Sequence, residues 1–192
     1  MPSVFIYADP HFGHKGVCHF TREDGSKLRP WNTPEEMDEA LVRAYNNVVK
    51  PADKVYFLGD VVINRRALVT LGRLHGDKVL VKGNHDIFKD EDYAPYFRSI
   101  RAYHVMSGLI LSHIPVHEAS LSRFGCNIHG HLHSGRVRKP RGVIEDQVVY
   151  GPEIDPRYWC ASVENLPNFA PILFENALEL IRAQGGLTTF RN

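Results

Sequence analysis

At 192 residues the chain is long enough for one domain with a substantial core and short for two. Apolar residues make up 43% and charged residues 23%, the balance of a folded globule and not of a disordered chain. With 23 basic against 22 acidic side chains the net charge is +1, so no global field gathers nucleic acid or anionic membrane, and no apolar stretch approaches the roughly 20 residues of a membrane helix.

In chain order, short β-branched or aromatic runs each end in polar punctuation. Residues 4–8, VFIYA, lead into Asp9-Pro10-His11. Residues 33–50 then predict a helix, with Thr33 as N-cap, Pro34 at the first helical position and acids in the first turn. Its apolar residues Met37, Leu41, Ala44, Tyr45 and Val48 make one buried face. The run 54–58, KVYFL, leads into Gly59-Asp60, and a shorter helix is expected over 64–74. Residues 78–81, KVLV, lead past Lys82 into Gly83-Asn84-His85-Asp86. The runs 108–112 and 126–129 lead into His113 and into Gly130-His131-Leu132-His133. Residues 137–142, VRKPRG, form the one obvious basic cluster and read as a solvated loop. Two last strands are expected over 158–164 and 170–175, joined around Leu166-Pro167-Asn168, then a helix over 177–184.

Continuous apolar runs of this length fit strands covered on both faces, and strands alternating with helices give an α/β layered fold. No repeat or linker divides it, so residues 1–192 read as a single domain. Cys18, Cys126 and Cys160 are odd in number and widely spaced without a CxxC pair, which argues against a disulfide framework or a zinc ribbon. The opening MPSVFIYADP carries no basic leader, so a reducing cytoplasm is the expected location.

The regularity that matters is where the polar residues fall. Open α/β sheets gather their ligand sites at the C-terminal ends of the strands. Here five strands deliver Asp9, His11, Asp60, Asn84, His113, His131 and His133 towards that rim. Each has a bland alternative: Asp9 and Asp60 as turn formers, Asn84 as a residue for positive φ, His113 as an ordinary loop histidine. Together they favour a metal site. Carboxylate, imidazole and amide oxygen suit manganese, iron or zinc. Seven such groups are too many for one tetrahedral ion and fit two neighbouring ions, a combination suited to phosphate-ester hydrolysis.

The ordered set Asp9-Pro10-His11, Gly59-Asp60, Gly83-Asn84-His85-Asp86, His113 and Gly130-His131-Leu132-His133 resembles the calcineurin-like metallophosphoesterase superfamily. The motifs cover residues 9–133, and ADPHFGHKGV is similar to small prokaryotic and phage-encoded members. The resemblance implies an αββα sandwich, two mixed sheets flanked by helices. It implies two divalent ions, Mn2+ in first place with Fe, Zn or Ni as alternatives. Asp9, His11 and His133 would hold one ion, Asn84, His113 and His131 the other, and Asp60 would bridge them. A hydroxide between the ions would attack phosphorus. His85 would stabilise the phosphoryl oxygens or protonate the leaving group, and Asp86 would orient His85.

His14, Asn84, Arg65 and His117 are candidate substrate contacts, with Arg66 beside them, although a solvated surface is the commoner fate of Arg65, Arg66 and His117. His129 is expected to be structural. The reading is a phosphodiesterase or phosphatase acting on a small, nucleotide-like phosphate ester, with no membrane partner and no strong sign of nucleic-acid binding. Rivals are a non-catalytic scaffold of the same fold, an HD-type phosphohydrolase built on helices, and a nuclease or protein phosphatase within the superfamily. The oligomeric state is not legible.

Overall fold

The computed structural model describes residues 2–187. Its first sheet is laid down in parallel by β1 (Val4–Tyr7), β2 (Lys54–Phe57), β3 (Asp77–Val81) and β4 (Ser99–Arg101). Val4 to Tyr7 pair with Lys54 to Phe57, and Lys54 to Phe57 in turn with Asp77 to Leu80. Ile6, Tyr7, Val55, Phe57, Leu80 and Val81 are all buried, so successive side chains find cover on both faces. Helix α1 (Pro34–Val48) provides part of that cover. The Thr33 hydroxyl accepts from the Glu36 amide at 3.2 Å, and Pro34 occupies the first turn, where its missing N–H is no loss. Met37, Leu41, Val42 and Tyr45 then face inward, whereas Val48, expected on that face, is 38% exposed, and the Tyr45 ring stacks on Phe57 with centroids 5.8 Å apart.

The second sheet has the order β10 (Tyr158–Cys160), β7 (Asn127–His129), β6 (Leu109–Leu111), β5 (His104–Met106). Only the outermost pair, β5 with β6, is antiparallel. A single apolar core joins the two sheets, running from Ile6, Leu58 and Leu80 to Leu109, Leu111, Ile128 and Ala161. The sheets also meet along a seam: Ala8 and Ser162 form a parallel bridge, and the Val163 amide donates to the Ala8 carbonyl at 3.0 Å. Because β1, β2 and β3 run parallel, as do β6, β7 and β10, this seam sets the C-terminal ends of all six on one rim.

The result is a mixed α/β fold of two mixed sheets and a few helices. Among the described residues, the cover on the far side of the second sheet comes from loop and 3-10 segments. There Ile110 and Tyr158 pack with Leu121, Val116 and Phe124 from residues 114–124, which contain a 3-10 turn over Glu118–Arg123. The helix expected over 64–74 shrinks to a 3-10 turn (Arg65–Ala67) followed by α2 (Leu68–Leu71), and α3 (Asp90–Tyr93) is equally short.

The two strands expected near the end are not a pair. After Cys160 the chain turns away through Val163–Asn165, and β11 (Ile172–Leu173) returns antiparallel to β1 in the other sheet. The last helix, α4 (Phe174–Ala183), begins three residues earlier than expected and buries Phe174, Ala177 and Ile181. The basic cluster read as a loop is instead part of a hairpin, β8 (Arg138–Ile144) with β9 (Gln147–Ile154). Among the described residues no helix is long and apolar enough to cross a membrane.

Candidate metal centre

Three strand ends on the shared rim, those of β1, β2 and β7, turn sharply, and the turning residues are candidate ligands. Asp9, His11, Asp60, His131 and His133 have φ of 55°, 52°, 53°, 67° and 53°. The left-handed region is uncommon for any residue but glycine, Asp and His tolerating it better than most, and such conformations cluster at functional sites. The turns aim the side chains back over the strand ends. Two groups result: Asp9, His11 and His133, and Asp60, His113 and His131, the ligand atoms of each group lying within 4.8 Å of one another.

Asp60 stands between the groups. Its Oδ2 lies 3.6 Å from His11 Nε2 and 3.3 Å from His113 Nε2. Asn84 joins the second group, its Oδ1 2.8 Å from His113 Nε2. His113 Nδ1 faces the Leu58 carbonyl at 2.8 Å, which fixes the ring and leaves Nε2 towards Asp60 and Asn84. Asp9 accepts from the His131 amide at 3.0 Å and from the Ser162 hydroxyl at 2.6 Å, so the two sheets are tied at the ligands themselves.

The glycines of the motifs have a steric cause. A Cβ on Gly130 would meet Asp9 Oδ2 at 2.5 Å, and one on Gly83 would collide with the Asp60 carboxylate. Backbone approaches this close admit no side chain.

Behind the first group lies a buried ion pair that no sequence motif marks. Arg29 Nη2 is 2.9 Å from Glu164 Oε2, with both side chains wholly buried. Glu164 Oε1 is 2.5 Å from His133 Nδ1, leaving Nε2 of that ring for the centre. Arg29 also donates to the carbonyls of Asp9 at 2.6 Å and Pro10 at 2.8 Å. One guanidinium thus pins the Asp9–His11 loop and, through Glu164, the ring of His133.

The electrostatics are those of a site arranged around positive charge. Burial pushes the Asp9 carboxyl up to about 6, partly relieved by His133 and His113. Burial also acts on Asp60, but the His113 ring and the His85 amide outweigh it and hold that carboxyl at about 2. For Glu164 burial is likewise overcome, by Arg29 and then His133, again to about 2. His11, buried among these groups, is driven well below its ordinary value, chiefly by desolvation.

The chain has relatives. Over 143 residues, 71% of this chain and 73% of the other, it is 33% identical to an uncharacterised protein of Methanocaldococcus jannaschii. The chain belongs to the same family as that archaeal protein. No family profile matches the sequence. A solved structure of a protein of unknown function from Aquifex aeolicus shares the family member's fold, with a TM-score of 0.63 at 24% identity over 94% of this chain and all of that one. A structure described as a novel archaeal phosphodiesterase aligns with a TM-score of 0.41 at 15% identity, over 79% of this chain and 84% of that one.

In this family member the remaining candidates divide. His85 is exposed at the mouth of the centre, its ring 5.7 Å from that of His11. Asp86 does not orient His85. Its two oxygens accept from the amides of Asp60, Val61 and Gly83 at 2.8–2.9 Å, so it pins the two loops that carry Asp60 and Asn84. His14 accepts from the Val17 amide at 2.9 Å, capping a 3-10 turn, and its ring lies 5.4 Å from His11. Arg65 is forked on Asp92 and lies over the Phe88 ring, and His117 caps the turn at Ala119, so neither joins the two groups. His129 is buried, its Nδ1 2.7 Å from the Gly130 carbonyl, and desolvation holds it down at about 4.

The donor set passes a test of fit for divalent ions. His11 Nδ1 and Nε2 are buried without any hydrogen-bond partner, a costly state for an imidazole unless a further electrophile satisfies it. One such nitrogen lies 3.6 Å from a carboxylate that itself lies close to a second histidine.

Proposed function

We propose that the chain is a metal-dependent phosphoesterase that hydrolyses phosphodiester or small phosphomonoester bonds, with a nucleotide-like substrate, in the cytoplasm. The proposal takes residues 1–192 as one domain of αββα layering. Asp9, His11 and His133 would hold one ion, Asn84, His113 and His131 the other, with Asp60 shared between them. Manganese is favoured, with iron, zinc or nickel as alternatives that the same donors accept.

The observation that carries this reading is the position of Asp60 Oδ2, within 3.6 Å of a histidine from each group. Bound divalent ions would supply an acidified water and neutralise phosphoryl oxygens. The chain's own part is positioning. Asp86 ties the Asp60 and Asn84 loops together through three amides. His85, open to solvent beside His11, would meet the substrate and give a proton to the departing oxygen. His14, its ring 5.4 Å from that of His11, is the better of the remaining substrate contacts.

Hydrolysis of bis-p-nitrophenyl phosphate with manganese is the test. Asp60→Asn should abolish turnover and lower the metal content of both positions. His85→Ala should keep the metal content while lowering turnover by more than about tenfold, the range general acid–base catalysis supplies. Turnover that survives in Asp60→Asn, or metal lost with His85, would remove the basis of the proposal. A wild-type chain that binds metal and hydrolyses no phosphate ester would favour the scaffold.

A further inference from the structure

Directly after His133, the last of the candidate ligands, the chain enters a second polar cleft. Ser134 and Arg136 line it together with Arg22, Glu23, Asp24 and Arg138, and its volume is about 380 Å3. Elsewhere on the surface Arg65, Arg73 and Arg98 are each paired with a carboxylate. The three arginines of the cleft donate instead to neutral oxygens, Arg22 to the Leu28 carbonyl at 3.4 Å and Arg138 to that of Pro152 at 2.8 Å.

Arg136 is the most firmly placed of the three. Its Nη1 donates to the Ser134 and Gly135 carbonyls at 3.0 and 2.9 Å, and its Nη2 to Asn165 Oδ1 at 3.2 Å. Asn165 in turn donates to the His133 carbonyl at 2.7 Å, so one amide ties this guanidinium to the ligand loop. Neutral acceptors fix a cation in place without cancelling its charge. The Nε–H and the second N–H of Nη2 have no acceptor among the described residues, and the Ser134 hydroxyl has no partner there either.

The carboxylates of the cleft do not fill this need. Asp24 Oδ1 is taken by the Ser26 amide and hydroxyl at 2.9 and 2.6 Å, and three guanidiniums outnumber two acids. Guanidinium donors left over in a fixed frame, beside a hydroxyl, suit an oxyanion with several acceptor oxygens. Phosphate is the one that arginine binds best, through paired N–H groups.

We propose that this cleft is a phosphoryl-binding site, with Arg136 and Arg22 as its cationic donors and Ser134 as a neutral one. The phosphoryl group belongs either to the far end of a substrate held at the metal centre or to a free polyphosphate. Only the first source rests on the phosphoesterase reading.

Titration calorimetry of the metal-free full chain with tripolyphosphate reads the site itself. Arg136→Ala and Arg22→Ala should each weaken binding by at least about tenfold, as loss of a charge-assisted hydrogen bond does. Arg136→Lys, which keeps the charge and loses the fork, should recover part of the affinity. Among the described residues the Arg22 guanidinium donates to the Leu28 carbonyl alone, so its variant keeps the test sound should Arg136→Ala unsettle the His133 loop. Initial rates with manganese, comparing thymidine 3′,5′-bisphosphate with thymidine 5′-monophosphate, tell the two sources apart. A preference for the bisphosphate that falls at least about tenfold in both variants assigns the site to the substrate. Arginine-dependent binding without that preference assigns it to free polyphosphate. Inactivity towards both nucleotides and bis-p-nitrophenyl phosphate removes the phosphoesterase reading and leaves calorimetry to decide the site. Tripolyphosphate that fails to bind the metal-free wild type, or binds both alanine variants equally well, overturns the proposal.

Discussion

Glu164 accepts from two partners of opposite purpose, the Arg29 guanidinium and the His133 ring, and its removal affects each differently. Glu164→Ala leaves Arg29 charged and buried with only carbonyl partners, a loss worth about 3–5 kcal/mol. Glu164→Gln retains a hydrogen-bond acceptor, so much of the fold should survive. Its effect should fall on the ring orientation of His133, lowering manganese affinity by roughly 10–100-fold, as loss of a histidine's carboxylate partner does elsewhere. Calorimetric titration of manganese, beside thermal melts of the metal-free variants, separates the two effects. Unchanged affinity in Glu164→Gln would show that His133 needs no such support. That the candidate ligands share a rim is legible in the sequence, because each follows a strand-like run and strand ends lie together. Glu164, Ser162 and Arg29 are not legible there. Arg29 and Glu164 lie 135 positions apart, and nothing local to either predicts that both are buried. For Asp86, adjacency to His85 suggests a contact with that ring, but the backbone turn gives its oxygens three amides instead.

Helix α1 does more than cover the first sheet. Asp38, one turn into the helix, accepts the Gly13 amide at 3.0–3.1 Å and so clamps the loop carrying Asp9 and His11. Asn64, the cap of the 3-10 turn Arg65–Ala67, donates to the Gly13 carbonyl at 2.9 Å. Burial raises the Asp38 carboxyl to about 6, against the help of the Gly13 amide. The folded chain therefore binds this proton more tightly than the unfolded chain does. The stability so gained is complete below the unfolded value of about 4 and is lost as pH rises through about 6. Asp38→Asn keeps an acceptor for Gly13 and removes the titration. Relative to the wild type, the metal-free variant should gain about 1 kcal/mol between pH 4 and pH 7, solvent screening holding the figure down for a half-buried group. Urea melts at the two pH values measure it, and parallel pH profiles for the two proteins would contradict the assignment. At this scale the cap and face of α1 were readable from Thr33, Pro34 and the apolar spacing. The hairpin was not, because both residues of its turn, Glu145 and Asp146, have positive φ at 48° and 61° without the Asn-Gly signal such turns normally carry. Pro140 within β8 further disguised it as a loop.

The centre sits where the two sheets meet, and its candidate ligands come from both. Asp9, His11, Asp60 and Asn84 follow strands of the first sheet, and His113, His131 and His133 follow strands of the second. Polar links hold the rim across the two sheets, among them the Ala8–Ser162 bridge, the hydrogen bonds from His131 and Ser162 to Asp9, and the contacts of the His113 ring with Leu58 and Asn84. It also carries an imidazole without partners and a carboxyl pushed up to about 6 by burial. Cations bound there would ionise Asp9, satisfy His11 and join the two sheets at once, none of which is available to the unfolded chain. Linkage then requires that metal stabilise the fold, by about 2.7 kcal/mol at a free concentration a hundred times the dissociation constant. Chelation should lower the thermal midpoint by several degrees, and added manganese should restore it in a concentration-dependent manner. Asp60→Asn, which disturbs the carboxylate whose Oδ2 lies within 3.6 Å of a histidine from each group, should flatten that dependence more than His131→Ala, which removes a candidate ligand from one group alone. A midpoint indifferent to chelator and manganese would mean that the rim is a structural junction between sheets and that its left-handed turns serve packing instead of metal.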